Sequence, residues 1–291
     1  MRRYNKLRRI YGIDFSGAKD AGNKIWISSG DISKNILRID MCCPVSSLHD
    51  LDPERDQCLT VLREFISKQT NAVFGMDFPF GLPARLVENS DWESFICSFA
   101  KKFKTIEYFK CAIKGFKKVC YKECGRKEIK RRTDEQAGTP HCAYNLRLYR
   151  QTYYGISRLL SPLVQEDAVC VLPMQKQCKG KPLLIEICPA STLKSLNCYY
   201  PYKGNKPDRE KNRGKILDNL EDSGMLAIKD SVVRNKIKIE NKGGDALDSV
   251  IAAFETYRAL KNDYAHQSNC YNPLEGYVYL DKVTLGHELV A

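Results

Sequence analysis

Five carboxylates stand where chemistry is possible. Asp14 closes an apolar run, Ile10-Tyr11-Gly12-Ile13-Asp14, and the small residues Ser16-Gly17-Ala18 follow it. Asp77 closes Val73-Phe74-Gly75-Met76 in the same way and opens the turn Phe78-Pro79-Phe80-Gly81-Leu82-Pro83. A carboxylate at the C-terminal end of a buried strand lies where open α/β sheets hold their ligands. Gly243-Gly244-Asp245-Ala246-Leu247-Asp248 opens a helix with aspartates at i and i+3, neighbours on one helical face. Glu186 is set inside the apolar run Leu183-Leu184-Ile185, with Ile187 after it. Each acid alone has an ordinary role, as a turn cap or as a partner of the helix dipole. Gathered at one sheet edge, however, they repel one another unless a cation sits among them. Oxygen-only ligands select a hard ion, Mg²⁺ or Mn²⁺. Two such ions about 3.5–4 Å apart can clamp the attacking and leaving oxygens of a phosphodiester.

Such a site needs strands to deliver the first acids and a helix to deliver the last pair. Residues 7–14, 24–28 and 36–42 read as strands, with turn-forming Gly30-Asp31 and Ser33 between the second and third. Leu59, Leu62, Phe65 and Ile66 recur at helical spacing within 53–69, and 72–76 is an apolar run bounded by Asp77 and Pro79. A fifth strand at 183–188 and a last helix from Asp245 to about Lys261 complete a three-layer α/β core on a mixed five-stranded sheet. The stretch between the fourth and fifth strands is too long for a structureless loop and predicts an inserted, mostly helical subdomain. The expected division is a core of 1–83 and 181–291 around an insert of 84–180. Polar, basic 203–215 reads as an exposed loop leading into a helix at 214–220.

The 291 residues are 43% hydrophobic and 28% charged, the composition of a soluble globular protein rather than a disordered or fibrous one. The longest uncharged stretches, 136–146 and 264–274, reach 11 residues, about half of the ~20 that a membrane-spanning helix needs, which excludes a transmembrane protein. Asp14 interrupts any apolar signal segment after the basic start, so a mature cytoplasmic protein is expected. The net charge of +12 is concentrated: 101–134 holds 13 basic against 4 acidic residues. Phe103, Tyr108, Phe109, Phe116 and Tyr121 interleave there with lysines that include Lys117 and Lys118. That mixture suits phosphate contact with base stacking, and it equally suits a helical pair turning its rings inward. The 13 cysteines, an odd number without an export signal, read as free thiols. Cys120, Cys124, His141 and Cys142 are zinc-type ligands, but a contiguous His-Cys places poorly on one tetrahedral ion, and scattered buried thiols are the plainer reading.

The order of elements and the acidic stations GIDFSGA, FGMDFPFGLP and GGDALDSVIAA resemble the RNase H-like superfamily, the last most resembling the C-terminal helix of RuvC-type resolvases. More closely, the chain is similar to the prokaryotic domain-of-unknown-function family 429, whose members are predicted RNase H-fold nucleases. The likeness runs on through RRTDEQAGTP, LYRQTYYGI, IEICPAS and EGYVYL, and so covers nearly the whole chain. It implies an RNase H-like fold and a Mg²⁺- or Mn²⁺-dependent nuclease acting on DNA or RNA. Asp14 would be the central ligand, with Asp77 and Asp248 also on metal and Asp245 or Glu186 completing the catalytic set. Arg131 and Arg132 would contact phosphate, with Asp134 orienting them, and Ser16, Lys19, Lys117 and Lys118 would add nucleic-acid contacts. Asp77 departs from the RuvC pattern, where Glu is usual, by one methylene. Two other classes share parts of the pattern. An actin-like or sugar-kinase ATPase also ends its first strand in Gly-x-Asp, but needs a second, Gly-rich phosphate loop in a duplicated core, and one plausible copy is present. A non-catalytic binder of nucleic acid would use the basic segment and not the acids.

Overall fold

The computed structural model describes residues 9–48, 52–267 and 271–281. The chain runs β1 (Arg9–Asp14), α1 (Ala21–Lys24), β2 (Trp26–Ser33), β3 (Ile36–Pro44), α2 (Arg55–Ser67) and β4 (Ala72–Asp77). The helices α3 (Trp92–Lys102), α4 (Ile106–Cys124) and α5 (Arg132–Ala137) follow. Next comes one continuous helical run, α6 (Tyr149–Tyr154), a π-helical turn (Gly155–Leu160) and α7 (Ser161–Gln165). The rest is β5 (Cys170–Val171), β6 (Leu183–Glu186), α8 (Pro189–Ser195), α9 (Pro207–Asp222), β7 (Leu226–Ile228), α10 (Ser231–Asn235) and, after a second π-helical turn, α11 (Asp245–Lys261).

The strands form one mixed sheet in the order β5-β6-β4-β1-β2-β3-β7. β1, β2 and β3 pair antiparallel, whereas β4 and β6 continue from β1 in parallel. The sheet has seven strands instead of five. The additional β5 and β7 are two and three residues long, too short to leave a periodic signal. Residues 7 and 8 of the first expected strand lie outside the described residues. Gly30, Asp31 and Ser33 are strand residues and not a turn. The turn is Lys34-Asn35, both at positive φ (53° and 60°), the conformation a two-residue hairpin requires. Gly30 instead marks a bulge where the backbone of Arg38 crowds in. The expected loop at 203–215 is mostly helix, because Pro207 at the first turn starts α9 seven residues early.

Alternation along β1 sends Tyr11 and Ile13 to one face, with α2 and the helices of 84–180. Ile10, Gly12 and Asp14 face the other side, under α11. Phe99, Phe103 and Phe109 are buried in the first layer, with Phe116 half-buried against them, while Tyr108 and Tyr121 stand out in water. α11 is buried from Ala246 to Leu260, as a central helix covered on every side must be.

Candidate active site

The parallel register of β1 and β4 pairs Gly12 with Gly75 and Asp14 with Asp77, so both acids leave the sheet at one edge and on one face. The two glycines let a helix lie directly on the sheet centre. A Cβ on Gly12 would stand 2.1 Å from the Ala253 amide, and one on Gly75 1.8 Å from Thr256 Oγ1. α11 fills that groove, starting from Gly244 at φ 89°, a conformation glycine alone adopts without strain. One turn before Ala252, Asp248 reaches the aspartates at the strand ends. Asp14, Asp77 and Asp248 line one cavity of about 400 Å³. Asp245 is half-buried beside them and outside the cavity lining, yet near enough for its charge to act on Asp14.

No hydrogen-bond donor among the described residues reaches the carboxylates of Asp14 or Asp77. Burial, reinforced by the charge of Asp248, raises Asp14 well above the usual carboxylate range. The same causes push Asp77 up to about 8. Burial raises Asp245 as well, with Asp248 adding to it. Both oxygens of Asp248 are held. The Tyr202 hydroxyl donates to Oδ1, and the Lys203 ammonium stands 2.6 Å from Oδ2. Burial pulls the Lys203 ammonium down, but Asp248 and Asp14 outweigh it and the net shift is upward. The strap carrying both residues is fastened from below by buried Arg213, which donates 2.8 Å to the Tyr202 carbonyl and 2.7 Å to that of Lys238. Gly204 adds an amide bond to the Lys242 carbonyl, 2.8 Å. Tyr202 and Lys203 escape a sequence reading because they sit between helices in a segment without periodicity. The only local signal is the Pro201…Gly204 punctuation around them.

Glu186, a member of the expected catalytic set, lines the same cavity as the three aspartates, and its charge helps to raise Asp77, but it is already answered there. It pairs with Met76, one residue before Asp77, so it leaves the sheet on the other side of the strand and meets the cavity past the strand end. Its Oε1 takes Arg131 at 2.5 Å, and its Oε2 takes Arg131 at 2.9 Å and the Phe80 amide at 2.9 Å. Arg131 lines that cavity too, but its donors are already used. It is 1% exposed, and its five N–H donors go to Asp134, Glu186 and the Glu275 carbonyl. Asp134 orients Arg131 at the start of α5 by accepting from both its backbone amide and its guanidinium. Arg132 is exposed, but on a different cavity. Ser16 and exposed Lys19 follow Asp14 without lining the carboxylate cavity. Lys117 is paired with Glu128 at 2.7 Å, and neither it nor exposed Lys118 borders that cavity. The basic side chains that do are Arg131, whose donors are spent, and Arg147 and Lys203, with exposed Tyr199 beside them. The zinc-type residues have separate partners: Cys120 meets the Tyr144 hydroxyl, Cys124 meets Arg85, and Cys142 meets Glu128.

Buried oxygen donors without hydrogen bonds, facing a cavity, are chemically suited to a hard divalent ion. As the side chains stand, no three His, Cys, Asp or Glu groups among the described residues are arranged to hold a metal. The cation among the carboxylates is the Lys203 ammonium. Set against protein-family models, curated proteins and solved structures, the chain has no match. No described helix is long and apolar enough to cross a membrane.

Proposed function

We propose that the protein is a nuclease that hydrolyses phosphodiester bonds of DNA or RNA with Mg²⁺ or Mn²⁺ at Asp14, Asp77 and Asp248. The observation that carries this reading is the meeting of buried Asp14 and half-buried Asp77, neither with a hydrogen-bond donor among the described residues, with Asp248 in one cavity at the C-terminal edge of the sheet. The strand order β3-β2-β1-β4-β6, antiparallel then parallel, supports an RNase H-like arrangement of that edge. The bound ion would supply positive charge to the developing oxyanion and an acidified water. The chain's own residues would do the rest. Asp14 and Asp77 hold their oxygens fixed on adjacent strands, so that little reorganisation would accompany binding. Arg147 and Lys203 offer donors to phosphate oxygens at the cavity, and the exposed ring of Tyr199 offers a base a stacking face. Tyr202 fixes the orientation of Asp248.

A second reading, a non-catalytic binder of nucleic acid, is favoured by one observation: Tyr202 and Lys203 already occupy both oxygens of Asp248. A panel of labelled single-stranded, duplex and branched DNA and RNA, incubated with Mg²⁺, Mn²⁺ or EDTA, separates the two. Cleavage that needs metal and is lost in Asp14→Asn supports the nuclease. Binding without cleavage in either metal supports the binder, and cleavage unchanged in Asp14→Asn overturns the site.

A further inference from the structure

A second cavity, of about 450 Å³, is lined by Arg85, Arg126, Lys130 and Arg132 together with Glu135 and Glu275. It shares no lining residue with the carboxylate cavity. Adjacent residues lead into the two, since Arg131 faces the carboxylates and Arg132 faces this one. Glu275 ties them together, its carbonyl taking Arg131 at 2.9 Å and its carboxylate taking the Arg132 amide at 2.8 Å.

The charges here are not balanced. Glu275 is buried, and its two oxygens accept the backbone amides of Ala84 and Arg132, so it serves the fold and pairs with none of the guanidiniums. Arg85 reaches Glu123 at 3.5 Å on the exposed side, and Lys130 donates to the Thr139 carbonyl. The guanidiniums of Arg126 and Arg132 have no carboxylate and no hydrogen-bond acceptor among the described residues. Against four cationic side chains the lining sets two carboxylates, an excess of two positive charges. A phosphate monoester carries about −1.5 to −2 near neutral pH and three acceptor oxygens. Guanidinium forks match those oxygens in pairs. The volume lies within the ~300–1,000 Å³ usual for small-molecule sites, which leaves room for a sugar and base behind the phosphate.

The geometry points to a phosphate-monoester site at Arg126 and Arg132, taking the phosphate of a free nucleotide or the terminal phosphate of a strand. It does not depend on hydrolysis at the carboxylates. The test is binding in EDTA buffer, so that its failure and that of the metal reading remain separable. The probes are inorganic phosphate, a nucleoside 5′-monophosphate against its nucleoside, and one oligonucleotide carrying 5′-phosphate or 5′-hydroxyl. Phosphate-bearing probes bind at least about tenfold more tightly than their parents, the smallest effect expected of a charge-assisted hydrogen bond. The combined Arg126→Ala and Arg132→Ala replacement removes that preference, Glu135→Gln strengthens it, and Lys229→Ala, at an exposed position, leaves it unchanged. Tight binding of the monophosphate assigns a free nucleotide, and a preference confined to the oligonucleotide assigns a strand end. Equal binding of phosphorylated and unphosphorylated probes, or a preference that survives the double replacement, overturns the site.

Discussion

Two ionic groups line one cavity at the edge of the sheet, and they differ in how their charges are answered. In one, Arg131 binds Asp134 and Glu186 so completely that none of its donors is left. In the other, Asp14 and Asp77 have no donor among the described residues, and one half-exposed lysine serves three aspartates. A closed ion cluster is part of the architecture. An open one, held in place by glycine contacts and a central helix, sets up electrostatic repulsion that a bound proton or a cation relieves. Residue type does not separate the two, because both are built from acids at strand ends and helix starts. Pairing separates them.

The sharpest way to break this contrast is to replace one member of each group. Asp14→Asn should reduce metal-dependent cleavage by ~10³-fold or more, beyond the loss of a single transition-state hydrogen-bond donor. In metal-free buffer its melting temperature should stay level or rise, since one repelling charge is gone. Arg131→Met should do the reverse to the fold, destabilising it by about 3–5 kcal/mol because Asp134 and Glu186 remain buried without their partner. Urea unfolding of both variants checks this. An Asp14→Asn protein as destabilised as Arg131→Met would make Asp14 a structural cap.

Acidity sharpens the comparison next. Asp77 is pushed up to about 8 in the folded chain, while an unfolded aspartate titrates near ~3.9. Between those values the native state binds more protons than the unfolded one, so the contribution of Asp77 is full below about pH 4 and is lost as pH rises through about 8. Asp77→Asn removes that loss. The difference in melting temperature between variant and wild type, measured in EDTA from pH 5 to 9, should therefore grow with pH and reach ~2–4 °C for each kcal/mol relieved. A difference that shrinks as pH rises would place the stabilising charge on an ionised Asp77. A third test acts on the lysine. Lys203→Met opens Oδ2 of Asp248 and removes a competing cation, so Mn²⁺ should bind several-fold more tightly by calorimetry, about 1 kcal/mol. Weaker Mn²⁺ binding would make Lys203 a supporting part of the site.

Much of this arrangement was legible in the sequence, and the losses have physical causes. α11 begins and ends where its glycines and periodicity place it, and β1 and β4 end at the aspartates that close their apolar runs. The different surroundings of Glu186 were hidden because a strand sequence shows alternation but not register. Only the pairing of Met76 with Glu186 shows that Glu186 reaches the cavity from the other side of its strand, where Arg131 answers it. The Arg131-Arg132 doublet reads as surface, yet the capping bond with Asp134 draws the first of the pair inside. Lys203 and Tyr202 were invisible because the bond that matters joins residues 46 and 45 positions away from Asp248, and no local pattern encodes such a contact.

The smallest expected effect concerns the basic helix α4, whose exposed rings Tyr108 and Tyr121 stand among lysines. If this face follows a nucleic-acid backbone, each phosphate contact releases counterions, and its loss lowers the slope of log affinity against log salt by about 1. The lysines are not equivalent. Lys118 and Lys122 are exposed, whereas Lys117 is half-buried and already answered by Glu128 at 2.7 Å. Lys118→Ala and Lys122→Ala should each reduce the slope by about 1, and Lys117→Ala should barely change it. The Lys117 ion pair is partly exposed, so losing it should cost only about 0.2–1 kcal/mol. Fluorescence anisotropy across a salt series gives all three slopes. The same ordering in reverse, with Lys117 dominant, would show that the pair opens on binding; three flat responses would assign the charge of α4 to solvation and leave Arg147 and Lys203 as the cationic contacts for a substrate.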